Sequence, residues 1–326
     1  MANPIATGNE RTRLAPSPTG ALHLGNARTF LINWLMARKN GWEIELRIED
    51  LDGPRIKSGA DQLAIEDLRW LGIDWDTGPT YQSARRAKYD AAIDFLVEHH
   101  RAYACICTRR EVDLAASAPH AEDGASVYPG TCRGKFATIE DAIKSAGRQP
   151  ALRFAVPDET VEFVDAFHGH CAFDVARQLG DFVIRKADFT PAYQLAVVVD
   201  DAEAGITQIV RGDDLLDSTP RQILIYRALG FGDRIPHYTH LPLVIGEDGR
   251  RLAKRHGDTR LAAYRDAGVP PGRVLALLGR WCGISAGASA RDQIDTPRDL
   301  LSEFDLARIP KEPIVFSQAD DRWLRS

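Results

Sequence analysis

The chain has 326 residues, of which 44% are hydrophobic and 27% charged, with a formal net charge of -5. This balance excludes wholesale disorder and fibrous repeats. Its mild acidity argues against non-specific coating of nucleic acid and leaves room for a local basic surface that docks one structured RNA. Five cysteines do not make the disulfide framework of a secreted chain. Apolar runs such as QLAVVV at 194–199 are too short to cross a bilayer. The polar start MANPIATGNERTR, which carries Glu10, lacks the apolar centre of a secretory signal. The expectation is a cytoplasmic protein of two or three structural units, away from membranes.

In chain order, residues 1–101 read as the first half of an α/β core. RTRLAPSPTGALHLG is a strand closed by a Pro/Gly turn. NARTFLINWLMARKNG is a helix with an apolar face of Phe30, Leu31, Ile32, Trp34 and Leu35, stopped at Asn40 and Gly41. WEIELRIED alternates as a strand, and GADQLAIEDLRWLG and RAKYDAAIDFLVEHH add two helices. Strand, helix, strand, helix is the grammar of a parallel sheet. Residues 102–180 bring cysteines, a Gly/Ser/Ala-rich stretch near 115–130 and the short strands ALRFAVP and TVEFVD, and read as an inserted subdomain. Residues 181–257 resume the sheet through DFVIRKADFTPAYQLAVVVDDAEAGITQIVRGDDL, the helix STPRQILIYRALG and the strand HLPLVIG. Residues 258–326 read as a short helical region, with PPGRVLALLGRWCG opening on proline and closing on glycine.

The turn APSPTGALHLGNA sets His23 just before a helix whose first backbone N–H groups and dipole attract phosphate, and an imidazole there adds a donor. The spacing fits neither a Walker loop nor a dinucleotide fingerprint. RLAPSPTGALHLGNAR resembles the first signature of the glutamyl branch of class I aminoacyl-tRNA synthetases. The second signature of that family has its counterpart about 230 residues later in EDGRRLAKRHG, where Arg251-Leu-Ala-Lys254-Arg255 resembles Lys-Leu-Ser-Lys-Arg. Arg251 keeps the charge of the lysine it replaces, whereas Ala253 removes a hydroxyl donor.

The resemblance implies a Rossmann-type catalytic core split by a zinc-containing insertion, with ATP and Mg as substrate. Attack of a carboxylate on the α-phosphate builds charge on the phosphoryl oxygens and on departing pyrophosphate, so fixed cations and N–H dipoles are needed. His23 and Lys254 would be the catalytic pair, with Pro16, Gly25, Asn26 and Arg251 completing the ATP site. Glutamate would be held by Arg13, Ala15, Ser17, Glu49, Tyr193 and Arg211, grouped at the carboxyl ends of the sheet. In physical terms an anion is needed for the ammonium and arginines for the carboxylates. The chain stops where the larger relatives continue into an anticodon-binding region. It therefore resembles the short glutamyl-Q tRNA(Asp) synthetases, monomers that glutamylate queuosine in the anticodon stem-loop of tRNA(Asp). A compact enzyme charging tRNA(Glu) and a silent zinc-containing RNA-binding paralogue stand as alternatives.

Cys105 and Cys107, then Tyr128 and Cys132 after a loop of 20 residues, offer three thiolates for zinc, with core packing as the alternative. The resemblance assigns the fourth ligand to Tyr128, and His120 is the alternative. A structural role follows, because adenylate chemistry needs no zinc. Cys171 and Cys282 lie in apolar strings and are expected in the core. Arg109, Arg110, Arg133 and Lys135 are equally readable as RNA contacts or as a solvated face.

Overall fold

The computed structural model describes residues 10–51, 53–116, 127–250, 252, 258–284 and 294–326. The strands are β1 Arg11–Leu14, β2 Glu43–Ile48, β3 Thr77–Tyr81, β4 Ala102–Cys105, β5 Ala151–Phe154, β6 Thr160–Asp165, β7 Gly169–Asp174, β8 Phe182–Arg185, β9 Gln208–Gly212, β10 His237–Leu241, β11 Val244–Gly246 and β12 Ile314–Phe316. The helices are α1 Leu24–Asn40, α2 Ala60–Trp70, α3 Arg86–Glu98, α4 Arg109–Ala116, α5 Ile139–Ala146, α6 Val175–Gln178, α7 Tyr193–Ala204, α8 Ser218–Ala228, α9 Leu261–Asp266, α10 Pro271–Trp281 and α11 Gln318–Arg325.

β1, β2 and β3 form a parallel sheet in that order, and β9, β10 and β6 form another parallel set edged by antiparallel β7. The two sets meet where Thr207 N–H donates to Arg11 O at 2.9 Å. Reading across gives 3-2-1-9-10, the doubly wound order in which ligands bind at the carboxyl ends beside the switch between the first strands of the two halves. One core gathers α1, β1, β2 and the carboxyl-terminal elements, and a second gathers α3, α7, α8 and β5. Each helical layer thus covers one face of the parallel strands.

Several local expectations change. Apart from its first residue, β2 is buried throughout rather than alternating, so Glu45 and Arg47 sit inside the protein. QLAVVVDD is part of a helix, not a strand, and Tyr193 opens it; a short apolar run does not by itself distinguish the two. α7 is buried along its length, from Leu195 to Ala202, and closes on Gly205 in the left-handed conformation. HLPLVIG is split into β10 and β11 at Pro242, which has no N–H to continue a ladder. The carboxyl-terminal region is not purely helical: the β-branched segment Ile314–Phe316 pairs in parallel with β11. Hydrogen bonds also cross residue 180, since β5 pairs with β8 and β6 with β10. Cys282 is buried as expected, but Cys171 lies half-exposed on edge strand β7.

Candidate active site

The turn after β1 ends at His23, the N-cap of α1, with extended backbone. Its Nδ1 accepts from Gly25 N–H at 3.1 Å and Asn26 N–H at 3.4 Å, while Asn26 Oδ1 accepts from His23 N–H at 3.3 Å. The helix start is therefore not bare, because the imidazole itself takes two first-turn donors. With Nδ1 as acceptor, the neutral ring carries its proton on Nε2. A side chain on Gly25 would place its Cβ 3.0 Å from His23 Cε1, so it would crowd the imidazole in its capping position.

The flank of the second signature lies along the first. Leu24 N–H donates to Thr259 O at 3.0 Å, and Leu261 N–H donates to Leu22 O at 2.8 Å. Leu252 is buried in the core that contains Leu22 and Leu24. Two strings about 230 residues apart are thereby joined in one seam. Arg251 and Lys254 themselves, with Ala253, Arg255 and His120, lie outside the described residues.

The carboxyl ends of β1, β2 and β9 open onto a cleft of about 790 Å³. Arg13, Ala15, Pro16, Ser17, His23, Gly25, Asn26, Glu49, Tyr193 and Arg211 all line it, so every described residue expected to bind ATP or glutamate is brought together there. The wall beneath is a buried charge network that sequence patterns did not reveal. Asp201 Oδ1 stands 2.7 Å from Arg47 Nη2 and 3.4 Å from Arg13 Nε, and Glu49 Oε1 stands 3.7 Å from Arg47 Nη2. Asp200 accepts from Arg85 Nε at 2.6 Å, Gln82 Nε2 at 2.7 Å and Tyr89 Oη at 2.9 Å. Consecutive helical positions point about 100° apart, so the pair reaches largely different partners and shares Arg47, whose Nε lies 3.9 Å from Asp200 Oδ2. Burial pushes Glu49 above the usual carboxylate range despite the nearby guanidinia of Arg47 and Arg13. Burial also opposes the charge on Arg47, but Asp201, Glu49 and Asp200 outweigh it and strengthen the guanidinium's hold on its proton. The available signal was VVVDD, two acids closing an apolar run.

Arg211 projects from β9. Its Nε donates to His240 Nε2 at 2.9 Å and its Nη2 to Thr219 Oγ1 at 2.7 Å. Buried Nη1 has no hydrogen-bond partner among the described residues. An arginine with one unsatisfied edge in a cleft wall is suited to an anionic ligand.

At the other site, the sulfurs of Cys105, Cys107 and Cys132 lie within 4.8 Å of one another. Tyr128 Oη is 3.4 Å from Cys105 Sγ and 3.6 Å from Cys107 Sγ, and Cys132 Sγ is 3.5 Å from Cys107 Sγ. A tetrahedral zinc with bonds of ~2.3 Å needs ligand atoms roughly 3.8 Å apart, so the set fits that ion with little rearrangement. Arg153 adds what the cysteine spacing did not show. Its Nε donates to Cys105 Sγ at 3.3 Å, and its guanidinium lies 3.7 Å from the Tyr128 ring centroid. Burial, with the neighbouring Cys132 and Cys105 sulfurs, holds the Cys107 thiol up at about 11 even though the hydrogen bond with Tyr128 pulls it down. Of the surface cations, Arg133 pairs with Asp181 and Lys135 lies over the Phe136 ring.

Residues 10–320 match the family described as tRNA synthetases class I (E and Q), catalytic domain. The chain is 48% identical over 313 residues to the glutamyl-Q tRNA(Asp) synthetase of Symbiobacterium thermophilum, covering 93% of this chain and 94% of that one. It is 46% identical over 319 residues to the protein of that name from Rhodopirellula baltica, covering 93% and 95%. Among solved structures it superposes on a glutamate tRNA ligase from Elizabethkingia meningosepticum in complex with its amino acid. There the TM-score is 0.80 at 29% identity, over 97% of this chain and 69% of that one. No helix among the described residues is long and apolar enough to cross a membrane.

Proposed function

The chain belongs to the class I tRNA synthetases of the glutamate and glutamine type, and within them to the glutamyl-Q tRNA(Asp) synthetases. On that premise we propose an ATP-dependent ligase that activates L-glutamate without tRNA and transfers it to queuosine in the anticodon stem-loop of tRNA(Asp). The observation that carries the substrate assignment is the cleft, where Arg211, with an unsatisfied buried edge, and the carboxylate of Glu49 share one set of walls. An amino acid with an acidic side chain presents the complementary charges. Glu49 takes the ammonium, Arg13 and Arg211 take carboxylates, and Ala15, Ser17 and Tyr193 shape the space between them.

In the first step a glutamate carboxylate oxygen attacks the α-phosphorus of ATP and pyrophosphate leaves. His23, its proton directed to Nε2 by the cap, donates to phosphate oxygens beside Pro16, Gly25 and Asn26. Lys254 and Arg251 serve the departing pyrophosphate. Magnesium neutralises phosphate charge when bound. In the second step an acceptor hydroxyl attacks the activated carbonyl and AMP leaves.

Cys105, Cys107, Cys132 and Tyr128 would hold one structural zinc, which organises residues 102–180 as an inserted unit and supplies no step of either reaction. Residues 1–101 and 181–257 then make up the catalytic core, followed by 258–326. The enzyme would act as a cytoplasmic monomer. The reading is tested by pyrophosphate exchange into ATP with glutamate and no tRNA, which should proceed. Strict dependence on tRNA(Glu), or labelling of tRNA that lacks queuosine, would replace it with a compact enzyme charging tRNA(Glu).

A further inference from the structure

Buried arginines ordinarily meet a carboxylate, because an unpaired guanidinium is costly away from water. Arg211 is 4% exposed, yet its nitrogens hydrogen-bond to His240, to Thr219 and, at Nη1, to no atom of the described residues. Through these hydrogen bonds the link to an acid runs through a ring. His240, fully buried on β10, has its Nδ1 2.7 Å from Asp165 Oδ2. Asp165, at the end of β6, also accepts from the backbone N–H groups of Phe167 and His168 at 2.9 Å each and of His240 at 3.1 Å.

Every one of these contacts offers Asp165 an N–H, which is the environment of an ionised carboxylate. His240 Nδ1 is therefore the protonated ring nitrogen and Nε2 the lone pair that accepts from Arg211. Any other protonation state of the imidazole would set N–H against N–H across 2.9 Å. Burial and the Arg211 charge hold His240 below its ordinary value in spite of Asp165, in keeping with a neutral ring. Asp165, although burial alone would raise it, is held below the carboxylate range by His240 and the backbone donors.

We propose that Asp165 and His240 are positioning residues for Arg211: they fix its guanidinium in the cleft wall and hold the acid one ring away, leaving the cation for a substrate carboxylate. A direct Asp–Arg pair would orient the same side chain but would compete with the ligand for it. β6 precedes β8 in the chain yet pairs in parallel with β10, so a strand remote in sequence from Arg211 sets the geometry of a pocket residue. The inference rests on the glutamate reading of the cleft.

The test is steady-state pyrophosphate exchange with full-length His240→Leu, His240→Gln and Asp165→Asn proteins. His240→Leu removes the acceptor for Arg211 Nε and should raise the glutamate KM by about 10- to 100-fold, with the ATP KM unchanged and kcat lowered by no more than about threefold. His240→Gln can return a carbonyl oxygen to that donor and should recover most of the loss. Asp165→Asn puts an amide N–H among donors and should shift the glutamate KM in the same direction as His240→Leu. If His240→Leu does not fold, Thr219→Val, which deletes the Nη2 acceptor, carries the same expectation. A folded His240→Leu protein with wild-type glutamate KM, or with equal rises in the glutamate and ATP KM values, overturns the relay alone. Wild-type protein that shows no glutamate-dependent exchange overturns the reading of the cleft, and the relay with it.

Discussion

The cleft and the cysteine cluster are held together by different physics. The cleft draws on residues from Arg13 to Arg211, carried by β1, β2, α7 and β9 and braced by buried opposite charges between two large cores. The cluster draws its four donors from one stretch, 105–132, and the small core around it consists of Cys105, Tyr128 and Cys132. Apolar burial on the scale of the two large cores can keep the cleft formed without ligand. The small core has little apolar area to stabilise it, and a bound metal would supply what burial does not. The lesson is that removing a charge partner should damage the first region, and removing an ion the second.

The sharpest break in the cleft is Asp201→Ala. It leaves Arg13 and Arg47 buried beside a lost carboxylate, and the expected loss is about 3–5 kcal/mol of stability, read from the denaturation midpoint. Zinc content of the folded fraction should not change. Next comes Arg211→Ala, which removes the anion-binding edge while sparing the larger network. A fall of about a hundredfold in kcat/KM for glutamate, near 2.7 kcal/mol, is expected with little change in melting temperature. If melting temperature collapsed instead, Arg211 would belong to the frame rather than to the pocket.

In the second region the ion should matter more than any single contact. Chelation should expose residues 102–154 to limited proteolysis and reduce transfer to tRNA(Asp), while glutamate activation persists, because the cleft shares no ligand with the cluster and the small core meets the second large core through the half-buried Ile106 and Phe136. Arg153→Met keeps bulk but deletes the donor to Cys105 and the cation over Tyr128, and should weaken zinc binding about tenfold in a competition titration. Loss of activation and transfer in parallel after verified metal removal would show that the two regions depend on each other.

This contrast also explains what could be read from the sequence. The cysteine spacing and the string around His23 are local, and such motifs survive reading in one dimension. The ten cleft residues were legible because each sits in or beside a recognisable string. Their supports were not: Asp200, Asp201 and Arg47 act through partners as much as 154 positions away, and nothing local to VVVDD or RIED names the other. The same holds for Asp165 and His240, which are 75 positions apart. QLAVVV reads into the resumed sheet because β-branched residues favour strands, yet burial among α3, α8 and β8 suits a helix. The strand Ile314–Phe316 was missed because three residues show no period, and pairing with β11 alone identifies it.

The smallest expected effect tests the surface between the two regions. Arg133 is about half exposed and its Nη1 lies 3.3 Å from Asp181 Oδ1 and 3.1 Å from Val156 O. Asp181 is buried, but it keeps Tyr103 Oη at 2.6 Å and Val156 N–H at 2.8 Å when Arg133 is removed. The buried carboxylate is therefore not orphaned, and solvent screens the lost charge. Arg133→Ala should cost less than about 1 kcal/mol of stability and leave glutamate activation unchanged. If Arg133 contacts RNA, the same variant raises the KM for tRNA(Asp) and flattens its salt dependence, since one phosphate contact has gone. If it belongs only to a solvated face, the KM for tRNA stays at the wild-type value across the salt series. Stability and transfer, measured on one protein, thus separate an ion pair that merely decorates the surface from one that the nucleic acid uses.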